Sequence, residues 1–122
     1  IQLGLQKIQV EQIRYSQDSI NPRFSQGQLL DDIVLRLQRG KLHASAFPPI
    51  QVFQLFDTTE GWLVFTLDKR RLYVFKHASI VQVQVRVIAF LPEHRAKFTT
   101  RNSGRSIIVR CDHGPRSRGR AS

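Results

Sequence analysis

Four consecutive charged residues, Asp68-Lys69-Arg70-Arg71, stand between the apolar stretches Trp62 to Leu67 and Leu72 to Phe75. The pattern predicts that a strand ends here, that the chain turns at Asp68, and that a helix opens with both arginines in its first turn. Free backbone amides of that turn, the positive end of the helix dipole and two guanidinium groups together make a site for phosphate oxygens, with Lys69 beside them. Read more simply, Arg70 and Arg71 are solvated or pair with Asp31 and Asp32, and Asp68 caps the helix. In a catalytic reading Asp68 is a base or a metal ligand, and His77, near Lys76 on the same helix, is the best remaining general base.

The other titratable residues carry less. His43, His77, His94 and His113 are scattered, with no two at the i, i+4 spacing of a helical metal site. Cys111 and His113 can meet on one face of a strand end, but they lack a third ligand or an orienting carboxylate, so a semi-buried thiol at a sheet edge is the simpler reading. No metal and no cofactor is expected. Tyr15, Phe24, Trp62 and Tyr73 are the aromatics to weigh for base stacking. Tyr15 and Phe24, beside Arg14 and Arg23, make the more credible nucleic-acid contact, whereas Trp62 and Phe65 belong to a central hairpin and are expected in the core.

Charge supports a polyanionic partner. Nineteen Lys and Arg face nine Asp and Glu, a formal net charge of +10 at pH 7, and fourteen of the nineteen are arginine, which pairs bidentately with phosphate. Residues 1–90 hold eleven bases and seven acids; residues 91–122 hold eight and two. Arg101, Arg105, Arg110, Arg116, Arg118 and Arg120 therefore extend the candidate phosphate site. Such a field attracts nucleic acid and speeds encounter. No basic amphipathic helix points to a membrane surface, and no apolar run reaches the roughly 18 residues of a membrane span. With 122 residues, 41% of them apolar, the chain makes one domain with a real core. A single cysteine forms no internal disulfide, which fits a reducing intracellular compartment. No methionine is present and the first residue is Ile1. The natural start is therefore expected upstream, in a removed targeting peptide, a longer polypeptide or a leader.

The elements that position these residues follow from periodicity. Lys7 to Glu11 alternate as a short strand, and Arg14 to Phe24 are turn-rich. Ser25 and Gln28 form a capping box for a helix whose face is Leu29, Leu30, Ile33, Val34 and Leu37, and Gly40 stops it. Ile50 to Phe56 and Trp62 to Leu67 are strands joined by a hairpin loop from Asp57 to Gly61. Arg70 to Ala78 is the second helix. Val81, Val83, Val85 and Val87, with Gln82, Gln84 and Arg86 between them, give the cleanest strand pattern. Pro92 opens a short helix through Phe98, Thr99 to Gly104 form a loop, and Ser106 to Arg110 make a last strand. Residues 1–111 thus form a single domain, and residues 112–122, with Gly114, Pro115 and three arginines, form a flexible basic tail.

Three of these segments, in this order, resemble the ParB-like (ParB/sulfiredoxin) fold. They are the helix from Gln28 to Arg39 before Gly40, the run Pro48-Pro49-Ile50-Gln51-Val52, similar to the family's PI-V strand, and Leu67-Asp68-Lys69-Arg70-Arg71-Leu72-Tyr73-Val74-Phe75. The last is similar to the strand-to-helix box written G-E-R-R, in the LDNRRLYAF form found at the ends of some bacterial polymorphic toxins. The resemblance spans residues 7–90. It implies an α+β domain, a small mixed sheet with two main helices in β-α-β-β-α-β order, here followed by a short helix, a strand and the tail. It also implies a phosphate-holding box: ParB proteins bind CTP there, some relatives phosphorylate serine, and sulfiredoxins use a cysteine nucleophile. Arg70 and Arg71 match the basic pair. Lys69 occupies the slot of the family's Glu or Cys, which removes sulfiredoxin chemistry and the Glu of phosphotransfer, and Asp68 stands where glycine is usual.

The expected function is binding of nucleic acid, RNA above DNA, by a non-catalytic component of a large ribonucleoprotein with neighbouring proteins around it. An organellar ribosome in the mitochondrion fits the composition. The alternative is a nuclease or phosphotransferase, as in a toxin domain; a third reading is a protein-binding adaptor using the hairpin edge.

Overall fold

Residues that alternate apolar and polar along an extended backbone need a partner for their apolar side, and here five strands share one. The structure, a computed structural model, describes residues 3–95 and 104–110. In chain order it comprises β1 (Gly4–Gln9), a 3-10 turn (Val10–Gln12), β2 (Ile13–Tyr15), β3 (Ser19–Ile20), α1 (Leu30–Gln38), a second 3-10 turn (Ala44–Ala46), β4 (Ile50–Asp57) and β5 (Gly61–Thr66). There follow α2 (Lys69–His77), β6 (Gln82–Val87), the short α3 (Pro92–Arg95) and β7 (Ile108–Val109). The result is a mixed α+β domain with a five-stranded mixed sheet in the order β1-β6-β4-β5-β2. Two main helices cover its apolar face. β6 runs antiparallel to β1 and parallel to β4, β4 and β5 form the antiparallel hairpin, and β2 lies parallel to β5.

β1 and β2 occupy opposite edges of this sheet, yet only Val10–Gln12 separates them. Four strand spacings of about 4.8 Å would put those edges about 19 Å apart in a flat sheet. The steps from Gln9 to Ile13 span at most about 14 Å fully extended. The sheet must therefore curl. Ile8, Ile13, Tyr15, Val52, Val64, Val83 and Val85 line the side that packs on α1 through Ile33 and Leu37 and on α2 through Leu72 and Phe75. On the other side Phe53 stacks on Phe65, with ring centroids 6.2 Å apart, and is covered by Phe90 at 4.9 Å.

Several boundaries differ from the sequence expectations for physical reasons. Ser25 and Gln28 do not cap α1. Residues 23–29 instead fold into a tight loop, with Gly27 N donating to Phe24 O (2.8 Å) and Phe24 N to Gln28 O (2.9 Å), and the Leu30 amide is satisfied by Pro22 O (2.9 Å). The helix starts later as a result, and Gly40 ends it at φ +73°. The segment from Arg14 to Phe24, read as irregular, contains the end of β2 and all of β3. Two extra short strands therefore precede α1. β1 begins before Lys7 and ends at Gln9. The last strand shrinks to β7 and pairs parallel with β3, outside the main sheet. Pro92 does open a helix; its expected continuation from residue 96 and the tail lie outside the described residues. Among the described residues no helix is long and apolar enough to cross a membrane.

Residues 104–110 lie as a strap along residues 15–20. Tyr15 N donates to Gly104 O (2.9 Å), Ile108 N to Asp18 O (2.8 Å) and Arg110 N to Ile20 O (2.8 Å). Gly104 sits at φ +73°, and a Cβ there would land on the Tyr15 carbonyl oxygen, 2.8 Å from Tyr15 N and from Arg14 Cβ. The strap passes at this point because the residue has no side chain.

Candidate phosphate-binding rim

β5 ends at Thr66, and the two residues after it are locked before α2 begins. Thr66 Oγ1 donates to Gln51 O (2.6 Å) and accepts from Asp68 N (3.0 Å). Asp68 stands at the N-cap position, but its carboxylate makes no capping bond. Oδ2 accepts from Gln51 N at 2.7 Å, and Oδ1 pairs with Arg71 Nη2 at 3.1 Å. The expected side-chain cap is thus replaced by a tie to β4, because Gln51 presents an amide the carboxylate can reach. The first helical bond runs from Leu72 N to Asp68 O (3.1 Å), so the amides ahead of it point out of the helix end.

The three cations of the first turn are each held by a carbonyl of a different segment. Lys69 Nζ donates to Ser19 O (3.4 Å), Arg70 Nη1 to Arg23 O (2.9 Å) and Arg71 Nη1 to Pro48 O (2.8 Å). None reaches Asp31 or Asp32; Asp31 accepts from the Tyr73 hydroxyl instead (3.3 Å). A guanidinium carries five N–H donors, so a single carbonyl bond fixes the fork of Arg70 and leaves donors for a ligand. Arg71 commits more of its donors, to Pro48 and Asp68. Arg110 joins this rim through the strap, donating from Nη1 to Ser19 Oγ (3.1 Å). A hollow of about 260 Å³ opens between Phe24, Ser25, Asp68 and the three cations. It shares Phe24, Ser25 and Arg71 with a groove of about 610 Å³ that runs past Phe47, Leu42 and Arg36.

Arg105 is not part of this rim. Its Nη2 pairs with Glu60 Oε2 (2.9 Å) at the β4–β5 turn, and Arg14 pairs with Oε1 of the same carboxylate (2.8 Å). The Arg14 hydrogen bond holds the Glu60 carboxyl below its ordinary range; burial opposes it, and the charges of Arg105 and Arg14 add to the lowering. No spacing in the chain links positions 45 residues apart, so this clasp left no sequence signal. Arg101, Arg116, Arg118 and Arg120 lie outside the described residues, as do Cys111 and His113.

The two weak catalytic candidates are separated. Asp68 precedes the first turn of α2 and His77 ends its last, about 13 Å along the axis. His77 stacks on Tyr73 at 3.9 Å between centroids, and its Nδ1 lies 2.9 Å from Tyr73 O. Among the described residues no three His, Cys, Asp or Glu side chains gather as metal ligands.

The aromatic expectations divide. Tyr15 is only 1% exposed and belongs to the core, so it cannot stack on a base from the surface; burial pushes its hydroxyl far above the usual phenol range, and among the described residues the oxygen has no hydrogen-bond partner. Its reversal follows from β2, which turns Ile13 and Tyr15 inward and Arg14 outward. Phe24 stays half-buried beside Phe47, centroids 6.5 Å apart, at the mouth of the hollow. Phe65 is buried as expected, whereas Trp62 is 65% exposed and rests edge-to-face on the exposed Phe56 (5.4 Å). The hairpin projects beyond the residues that pair with β6 and β2, so its far end has no layer to cover it.

Compared with known proteins, the chain matches no protein-family model and no curated relative.

Proposed function

We propose that this domain binds RNA through its phosphate backbone, gripping it at the rim formed by Lys69, Arg70, Arg71 and Arg110. One observation carries the reading: Ser19 receives both Lys69 on its carbonyl and Arg110 on its hydroxyl, so cations from α2 and from the end of the strap converge on one place. The sequence continues from there into Arg116, Arg118 and Arg120. Among the described residues Asp68 is the one acid lining the hollow, and two protein contacts already occupy it. That favours binding over hydrolysis, as does Lys69 in the slot where ParB-like proteins carry Glu or Cys. A ParB-like ancestry that kept the phosphate box and lost its chemistry fits the resemblance of residues 7–90. A large ribonucleoprotein such as an organellar ribosome, in the mitochondrion and with neighbouring proteins, is the setting that suits this charge.

The test is the salt dependence of RNA affinity. Four phosphate contacts give a slope of log K against log salt of about −3 to −4, and Arg70→Ala or Arg110→Ala each reduces it by about one. A flat salt response rules the mechanism out. RNA or nucleotide turnover abolished by Asp68→Ala would replace it with the enzymatic reading.

A further inference from the structure

Lys76 sits on the last turn of α2, away from the phosphate rim, with its Nζ 5.9 Å from the centroid of the buried Tyr15 ring. It faces a second cavity, of about 500 Å³, whose apolar wall is Val10, Ile80 and Val81 and whose polar residues include Glu11 and Ser79. Ser79 is held there by the helix end: its backbone takes φ 60°, with Ser79 N on Lys76 O (3.2 Å) and Ile80 N on Phe75 O (3.0 Å). Among the described residues, no carboxylate or carbonyl oxygen lies at bonding distance from the Lys76 ammonium. Burial, and secondarily the charge of Arg14, hold this amine below the usual lysine range; Glu11 pulls the other way. A lysine that is half desolvated, without an ion-pair partner among the described residues and open to a cavity has the environment of a nucleophilic amine.

We propose that this cavity is a reactive-amine site in which Lys76 condenses with an aldehyde, either a small free aldehyde or the ring-opened sugar of an abasic nucleotide. The neutral amine attacks the carbonyl carbon and a C–N bond forms. The nitrogen loses a proton to solvent and the oxygen gains one from it, giving a carbinolamine. Solvent protonates the hydroxyl, the C–O bond breaks as the nitrogen lone pair closes the C=N bond, water leaves, and the nitrogen gives up its remaining proton. Amine and aldehyde thus become imine and water, with no change of oxidation state.

The test exposes the full chain to limiting propanal and sodium cyanoborohydride and maps the adducts by mass spectrometry. The terminal amine is scored apart. Lys76 is expected to carry at least about fivefold more adduct than the exposed Lys7 or Lys41. Even labelling, or less adduct on Lys76 than on Lys41, overturns the proposal without depending on any variant. A labelled oligonucleotide with one abasic site, trapped by the same reductant, separates the sources. A cross-link lost in Lys76→Arg identifies the nucleotide sugar, and propanal labelling without a cross-link identifies a free aldehyde.

Discussion

Replacing Gly104 by alanine should detach the strap without unfolding the domain. A left-handed backbone costs a residue with a Cβ about 1–2 kcal/mol. The new methyl falls on backbone atoms of Tyr15, which no rotamer change can relieve, so overpacking adds about 1–3 kcal/mol. Moving away forfeits the bond from Tyr15 N to Gly104 O, worth about 1 kcal/mol net. Holding the strap in place thus costs about 2–5 kcal/mol, enough to compete with the β3–β7 backbone bonds, worth about 1 kcal/mol each, and with the half-exposed Arg105–Glu60 pair. The damage should stay local, because Ile107 is the only strap residue packed against the core. Hydrogen exchange reads this directly. The amides of Tyr15, Ile108 and Arg110 should lose at least about 100-fold of protection, the equivalent of roughly 3 kcal/mol, while Val83 and Val85 remain protected. RNA affinity should fall with Arg110 no longer delivered to the rim, and the salt slope should drop by about one. Unchanged protection at Ile108 and Arg110 would refute the account of why glycine stands at this position.

Two further outcomes test separate elements. Glu60 has a folded pKa below its free value, so its contribution is present above the ordinary glutamate pKa and is lost as pH falls through the lower folded value; the strap should loosen under acid, seen as a transition in the fluorescence of Trp62, and Glu60→Gln should abolish that transition. Trp62→Ala should change stability in urea by less than about 1 kcal/mol, whereas a tryptophan in the core would cost about 3–5 kcal/mol, and a loss of that size would place the ring elsewhere.

What the sequence revealed depended on whether local periodicity decided the structure. The valine alternation of β6 and the apolar stripe of α1 are strong enough to be read in isolation, and the doubled arginine after Leu67 did mark the start of a helix. β2 and β3 are three and two residues long, and they exist because β5 and β7 supply their partners, so Arg14 to Phe24 read as turn-rich. Tyr15 was misjudged with them: its burial is a property of β2, not of its neighbours in sequence. Trp62 misled in the opposite direction. Its hairpin was legible, but how far that hairpin outruns the strands beside it is a matter of register. Within the rim, Lys69, Arg70 and Arg71 were legible as a group, and the arrival of Arg110 through Ser19 was not, since ninety-one residues separate them.

Because one short stretch near the amino end supplies both borders of the curled sheet, this architecture cannot be assembled in the order in which it is synthesised. β1 waits for β6, with Ile8 opposite Val83, and β2 waits for β5, with Ile13 opposite Val64. Until Val87 has left the ribosome, Gly4–Gln9 have no partner strand, and Ile8 stays open to chaperones. Such long-separation pairing makes for slow folding, and the amino-terminal strand is the last piece that can close the domain.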